Sequence, residues 1–224
     1  MLSATPWQLF LLACIWGFYC AFHSLTATTR VKTWAMAHWP GLMPVYRLAY
    51  NAFALVTLVP PFWLMGRWGG DVLWRWEGWT AYVSLGVALL TGAGFLSTFR
   101  GYDLMELLGV RQFRLGIRTV SDQERFQLTV LHRFVRHPWY SLALALIYTR
   151  DMDSAFLVST ICWTLYFVVG SRLEESRLIE LHGETYRRYR ASVPGLIPRP
   201  WRFLSTGALR ELELLESEKA GDIG

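Results

Sequence analysis

Three stretches of this chain, 6–27, 44–66 and 79–99, each run for about twenty residues with at most one charged side chain. A helix needs ~20 consecutive apolar residues to cross the hydrocarbon core of a bilayer, so each window is a candidate transmembrane helix. A fourth apolar region, 139–170, is interrupted at TRDMD (149–153) and reads as two short helices forming a hairpin. Its first limb is shorter than a comfortable span, which predicts tilting, a re-entrant path or a cover of protein. The expected fold is all-α: a polytopic membrane bundle of about five transmembrane helices, closed by the C-terminal hairpin and carrying a cytoplasmic cap. With 53% hydrophobic and 16% aromatic residues and a mean hydropathy of +0.26, the chain is too apolar for an ordinary soluble domain.

Basic residues orient the bundle. Arg100, Arg111, Arg114, Arg118, Arg125, Arg133 and Arg136 fill the long third loop, and Arg30 and Lys32 the first. Arg172, Arg177, Arg187, Arg188 and Arg190 follow the last apolar run. The positive-inside rule puts all three regions in the cytoplasm, with the N-terminus outside and the C-terminus inside, in what is expected to be a bacterial inner membrane. The loop carrying Arg67, Asp71, Arg75 and Glu77 is charge-balanced and suits the outer side. The net charge of +5 calls for no nucleic acid, since loops beside anionic head groups are commonly basic. The first window lacks a basic n-region and is long for a signal peptide, so it reads as a retained helix. Cys14, Cys20 and Cys162 lie in apolar segments without paired spacing, which predicts packing residues and neither disulfides nor a metal site.

No repeat or linker divides the chain, so one domain is expected over 1–205, followed over 206–224 by an acidic, flexible tail that is either a frayed helix or disordered. In the second window, Arg47 and Asn51 share one helix face. Arg47 sits near enough to the boundary to snorkel, and Asn51 suits an interhelical hydrogen bond. Pro60 and Pro61 should kink the far end of that helix.

The chemistry-bearing residues concentrate in 131–200. In RHPWY (136–140), Pro138 suits the first turn of a helix and restricts His137 to extended conformations. The helix start then offers backbone N–H groups, and Arg136 adds a positive charge, as an anionic ligand group requires. The same residues also describe a membrane-entry turn, with a snorkelling arginine and interfacial Trp139 and Tyr140. Glu174 and Glu175 follow the last apolar run directly, where boundaries usually favour basic residues. A continuing helix would align Glu175, Ile179, His182, Tyr186 and Tyr189 on one face, unless Gly183 interrupts it. Pro194, Pro198 and Pro200 end regular structure beyond. Anion seat, carboxylates and aromatics together suit a zwitterionic, nucleotide-like ligand, whereas glutamates paired with Arg172 and Arg177 would be a solvated helix face.

These elements stand in a familiar order. Arg136, His137, Pro138 and Tyr140, then Glu174 and Glu175, then Gly183, Tyr186 and Tyr189, then Val193, Pro194, Ile197 and Pro198 match R-H-P-x-Y, E-E, G-x-x-Y-x-x-Y and V-P-x-x-I-P. The pattern resembles the C-terminal signature of the isoprenylcysteine carboxyl methyltransferase superfamily, which also holds phospholipid methyltransferases, methanethiol S-methyltransferases and NnrU-like proteins. GYDLMELLGVRQ (101–112) is similar to a loop of the methanethiol methyltransferase-like group. FHSLTATTRVK (22–32) and YRLAYN (46–51) are similar to NnrU-like proteins. One departure stands out: many members carry glycine where this chain has Leu142, which bears on how closely that helix packs.

The resemblance implies an S-adenosylmethionine-dependent methyltransferase whose donor site is built from the C-terminal helices. It assigns Arg136, His137, Pro138, Tyr140, Glu174, Glu175, His182 and Tyr186 to the cofactor, with His137 and Tyr140 nearest the chemistry. Carboxylates suit the ribose diol, and aromatic faces suit a sulfonium. Displacement needs chiefly positioning, and His137, His132 or His182 could assist deprotonation of a thiol or amine. No metal is called for. The partners expected are the bilayer and a lipophilic or small thiol-type acceptor. Two alternatives remain on sequence alone: a sterol-reductase-like NADPH enzyme, weakened by Trp139 and Ser141–Leu142 in its diagnostic places, and a non-catalytic NnrU-like membrane protein.

Overall fold

The computed structural model describes residues 4–98, 103–117 and 128–221. Arg100, Arg118 and Arg125, and the first two residues of GYDLMELLGVRQ, lie outside them. Helices α1 (Pro6–Ala27), α3 (Met43–Arg67) and α4 (Trp79–Thr98) coincide with the three apolar windows. Between them run α2 (Thr29–His38) and a strand, β1 (Val72–Trp74). Two short helices follow, α5 (Leu104–Leu108) and α6 (Val110–Leu115), then α7 (Pro138–Tyr148), β2 (Met152–Asp153) and α8 (Ser154–His182). Helices α9 (Glu184–Ser192) and α10 (Thr206–Gly221) complete the chain. The fold is an all-α membrane bundle in which α1, α3, α4 and α8 are long and apolar enough to span, with α7 a shorter apolar helix.

The hairpin differs from the expected pair of short limbs. Helix α7 has 11 residues, about 16 Å at 1.5 Å per residue, whereas α8 has 29 and runs through Glu174 and Glu175 to His182. Nothing in RLEESRLIELH breaks a helix, since it lacks proline and glycine, so the backbone continues into polar sequence until Gly183. Gly183 adopts φ +60°, which admits glycine freely, and α9 starts after it. The ribbon of β1 and β2 is also a departure from the sequence reading. Val72 pairs with Asp153 and Trp74 with Met152, antiparallel, tying the hairpin turn to the loop after α3.

The chain divides into two compact units: 1–81 with 99–123 and 150–163, and 82–98 with 124–149 and 164–224. In the first, Leu12, Trp16 and Ala155 are buried together. Trp16 donates its indole N–H to Ser159 Oγ at 2.8 Å and meets Phe62 and Trp163 edge-on. Helix α3 continues through Pro60 and Pro61. Its polar residues hold the α5–α6 elbow: Arg47 donates to the carbonyl of Glu106 at 2.9 Å, and Asn51 to those of Leu107 and Leu108 at 3.1 and 3.2 Å. The Asn51 bonds engage carbonyls at the end of α5, and Arg47 adds a second donor to the Glu106 carbonyl, which also accepts from Gly109 N–H.

In the second unit Tyr186, Tyr189, Val193, Leu204 and Leu212 form the core. Leu212 belongs to α10, so of the two readings of the acidic stretch the helical one holds over Thr206–Gly221, and the helix buries an apolar side chain. Leu142 packs onto Gly94 of α4. A Cβ at Gly94 would stand 2.8 Å from Leu142 Cδ2.

Candidate active site

The site grows from the turn that precedes α7. Pro138 occupies the first helical position and His137 caps the helix at φ −120°, ψ 72°, outside the α region as a residue before proline should be. Backbone and side-chain bonds lace this turn to the loop after α9. Arg136 N–H donates to the Pro194 carbonyl at 2.9 Å and His137 N–H to that of Gly195 at 3.2 Å. Ser141 Oγ donates to the Leu196 carbonyl at 2.6 Å. Arg133 Nε and the Leu204 carbonyl, and Leu204 N–H and the Arg133 carbonyl, exchange bonds of 2.9 and 2.8 Å. The prolines that end regular structure thus free the carbonyls of 194–196 to receive α7's first turn.

Onto this frame α8 brings the acidic pair. Glu175 Oε1 accepts from Arg136 Nε at 2.8 Å, lies 2.6 Å from Arg136 Nη2 and 3.0 Å from His137 Nε2. Its other oxygen, Oε2, pairs with Arg190 Nε of α9 at 3.1 Å. Glu174 Oε2 lies 3.3 Å from His137 Nδ1. One imidazole therefore sits between two carboxylates, and one carboxylate holds three cationic partners. Glu175 and Arg136 are 7% and 12% exposed at the side chain, whereas Glu174 is 48% exposed. Arg136 also donates from Nη1 to the carbonyls of Arg190 (3.0 Å) and Val193. Its donors are engaged by the protein itself, so it fixes Glu175 and the 190–195 segment to α7. The His137 ring stacks on Tyr140 at 5.6 Å, and Tyr140 stacks on Phe167 at 5.0 Å.

Electrostatics follow from these contacts. Burial lowers the His137 pKa, but hydrogen bonds and charge from Glu174 and Glu175 outweigh it, leaving the imidazole above its usual 6.5. His132 goes the other way. Burial, reinforced by the His137 charge, pushes it down to about 4, and its Nδ1 accepts from Thr129 N–H at 3.2 Å. Burial and the Glu175 charge raise the Tyr186 phenol.

Beside this cluster opens a cleft of about 460 Å³, with Glu175, Arg136, Arg190 and Ser171 among its walls, Val168 and Leu196 supplying apolar surface, and Arg172, Arg199 and Arg202 alongside. Arg136, His137, Pro138, Tyr140, Glu174 and Glu175 are thus gathered at one place, and of the acidic pair it is Glu175 that lines the cleft. His182 and Tyr186 do not line the cleft, although Tyr186 lies within the field of Glu175. His182 Nδ1 lies 2.7 Å from Glu216 of α10, and Tyr186 is buried in the core beneath α9. Sequence reasoning used Arg190 only as a topology marker, used Arg172 as a topology marker and as a possible partner of the glutamates, and left Arg199 and Arg202 unremarked. Their closeness to the V-P-x-x-I-P element is the signal that would have placed them at the site. Among the described residues, no cluster of His, Cys, Asp and Glu has the makings of a metal site.

No protein-family model matches the chain, and no solved structure matches it. Curated proteins do. The chain is 32% identical over 185 residues to methanethiol S-methyltransferase of Pseudomonas deceptionensis, covering 79% of this chain and 67% of that protein. It is 33% identical over 189 residues to methanethiol S-methyltransferase 1 of Bradyrhizobium diazoefficiens, covering 80% and 62%. The counterpart from Mycobacterium tuberculosis is 30% identical over 206 residues, covering 83% and 76%. The chain thus spans between 62% and 76% of the length of these relatives. The matches extend well beyond the C-terminal signature, and the chain belongs to the methanethiol S-methyltransferase group of the isoprenylcysteine carboxyl methyltransferase-like membrane methyltransferases.

Proposed function

We propose that this protein transfers a methyl group from S-adenosylmethionine to a small thiol, in the cleft beside Arg136, Glu175 and Arg190. The observation that carries the reading is a buried carboxylate that gathers two arginines and a histidine at the start of α7, in a chain whose relatives are thiol methyltransferases. Their shared activity favours methyl transfer over hydride transfer from NADPH. When bound, S-adenosylmethionine supplies an electrophilic methyl group on a sulfonium.

The donor set suits that molecule. Glu175 offers acceptor oxygens for a diol, the guanidinium of Arg190 a partner for a carboxylate, and Val168 and Leu196 apolar surface for a base. The volume of about 460 Å³ is within the usual range for small-ligand sites. Arg136 acts by position, keeping Glu175 charged and in place. His137 is held between the carboxylates of Glu174 and Glu175, which raise its pKa, so both ring nitrogens are occupied within the cluster. The imidazoles of His132 and His182 are likewise engaged, by Thr129 and Glu216. Thiol activation is therefore assigned to the field of the cleft, whose guanidiniums favour thiolate over thiol and let the proton leave to solvent at the open mouth. In-line transfer to a thiolate then requires mainly alignment and exclusion of water.

Calorimetry on detergent-purified protein tests the reading. Wild type should bind S-adenosylhomocysteine, and Glu175→Ala should weaken that binding by about 1–3 kcal/mol for one charged hydrogen bond. Methanethiol and longer thiols should be methylated in the presence of the donor, and amines should not. Absence of binding at millimolar ligand, or no turnover of any thiol, would sink the proposal.

A further inference from the structure

The cleft carries more positive charge than a methyl donor accounts for. Five arginines line it, at 136, 172, 190, 199 and 202, against one glutamate, so its formal charge is 5 − 1 = +4. Glu175 is paired with Arg136 and Arg190. Among the described residues, none of the other three has a carboxylate partner, and the contact of Arg202 is to the Ala191 carbonyl. S-adenosylmethionine is itself a net cation. A +4 lining therefore points to a second ligand group that is an anion.

The surroundings say which kind. Arg172 is the first charged residue after the apolar run of α8, so it marks the level at which lipid gives way to head groups. Leu173 beside it is 64% exposed. The loop that carries Arg199 and Arg202 also presents Ile197 and Trp201 at 75% and 77% exposure, separated by Pro198 and Pro200. Large apolar side chains alternating with arginines, on a loop stiffened by prolines, are unfavourable in bulk water and well suited to the membrane interface. Guanidiniums at that level meet phosphodiesters, to which they bind as planar two-pronged donors.

We propose that Arg172, Arg199 and Arg202 form a headgroup site for an anionic phospholipid of the surrounding bilayer, with Ile197 and Trp201 anchoring the loop in its acyl margin. Such a lipid sets its phosphodiester charge against the three arginines that Glu175 does not reach, at the rim of the cleft. Phospholipid here is a bound partner, and no covalent step involves it.

The test uses full-length protein in detergent, offered equal amounts of phosphatidylglycerol and phosphatidylcholine, with retained lipid read by native mass spectrometry. Wild type should favour phosphatidylglycerol by about ten- to thirty-fold, the effect expected of two or so basic side chains at an anionic surface. Arg199→Gln with Arg202→Gln should lose most of that preference, and Arg199→Lys with Arg202→Lys should keep part of it. Arg75→Gln, on the charge-balanced loop, should leave it unchanged. Circular dichroism confirms that each variant is folded, and S-adenosylhomocysteine binding is measured in parallel, so lipid retention and donor binding are judged separately. An unchanged lipid preference in the double glutamine variant overturns the site, as does an equal loss in Arg75→Gln. Displacement of the lipid by an equal concentration of inorganic phosphate overturns it too, because the site would then be one for a free ion. Loss of donor binding with lipid preference intact would return these arginines to the methyl-donor pocket.

Discussion

At His137, burial and charge pull in opposite directions, and the two carboxylates win. The imidazole is 4% exposed at the side chain yet keeps its proton more tightly than a free histidine. Because its folded-state pKa is raised, its contribution to stability is complete below 6.5 and is lost as pH rises through the higher folded value. Thermal unfolding in detergent should therefore fall with rising pH over that interval in wild type, and the slope should vanish in His137→Gln. Identical slopes would mean that His137 is neutral and that the cluster's charge resides elsewhere. His132 leaves a separate signature. Its pKa of about 4 costs stability only as pH falls below 6.5, so its effect lies on the acid side of that value and the effect of His137 on the alkaline side.

Among the elements, α7 shows how a departure from a family pattern is absorbed. Leu142 replaces a glycine, and the partner helix α4 supplies Gly94 against it, so close approach is kept with the small residue on the opposite side. Gly94→Ala should be mild, because the end of a leucine side chain can rotate away. Gly94→Val should destabilise by about 1–3 kcal/mol through overpacking. Leu142→Ala in the Gly94→Val background should recover much of that loss, giving a coupling of about 0.5–3 kcal/mol in a double-mutant cycle. Additive effects would show that the two residues do not share one contact. Helix α10 teaches a similar lesson. Its acidic composition hides Leu212, which completes the Tyr186–Tyr189 core, and Glu216, which meets His182.

For the whole molecule, the β1–β2 ribbon bears on topology. It bonds the hairpin turn to the loop after α3, two segments that charge counting assigns to the same outer side. With Cys14, Cys20 and Cys162 replaced by alanine, single cysteines at Glu77 and Arg187 test the orientation. A membrane-impermeant maleimide should label Glu77→Cys on intact cells and Arg187→Cys only after lysis. The reverse pattern, or labelling of both on intact cells, would refute a cytoplasmic site.

The sequence by itself determined the spanning helices and the helix start at Pro138. Those follow from local rules: apolar length against bilayer thickness and the missing N–H of proline. It could not decide which residues of the motif meet. Helical period placed His182 and Tyr186 on the face of Glu175, but α8 stops at Gly183 with φ +60°; His182 meets Glu216 of α10, and Tyr186, still within the field of Glu175, is packed into the core. Which glutamate faces the cleft likewise depends on the rotation of α8 against the 190–196 segment. The arginines of the cleft come from segments up to 66 residues apart, from Arg136 to Arg202. Their charges act on one volume only because the carbonyls of 194–196 dock on the first turn of α7, a long-range pairing that no local pattern records.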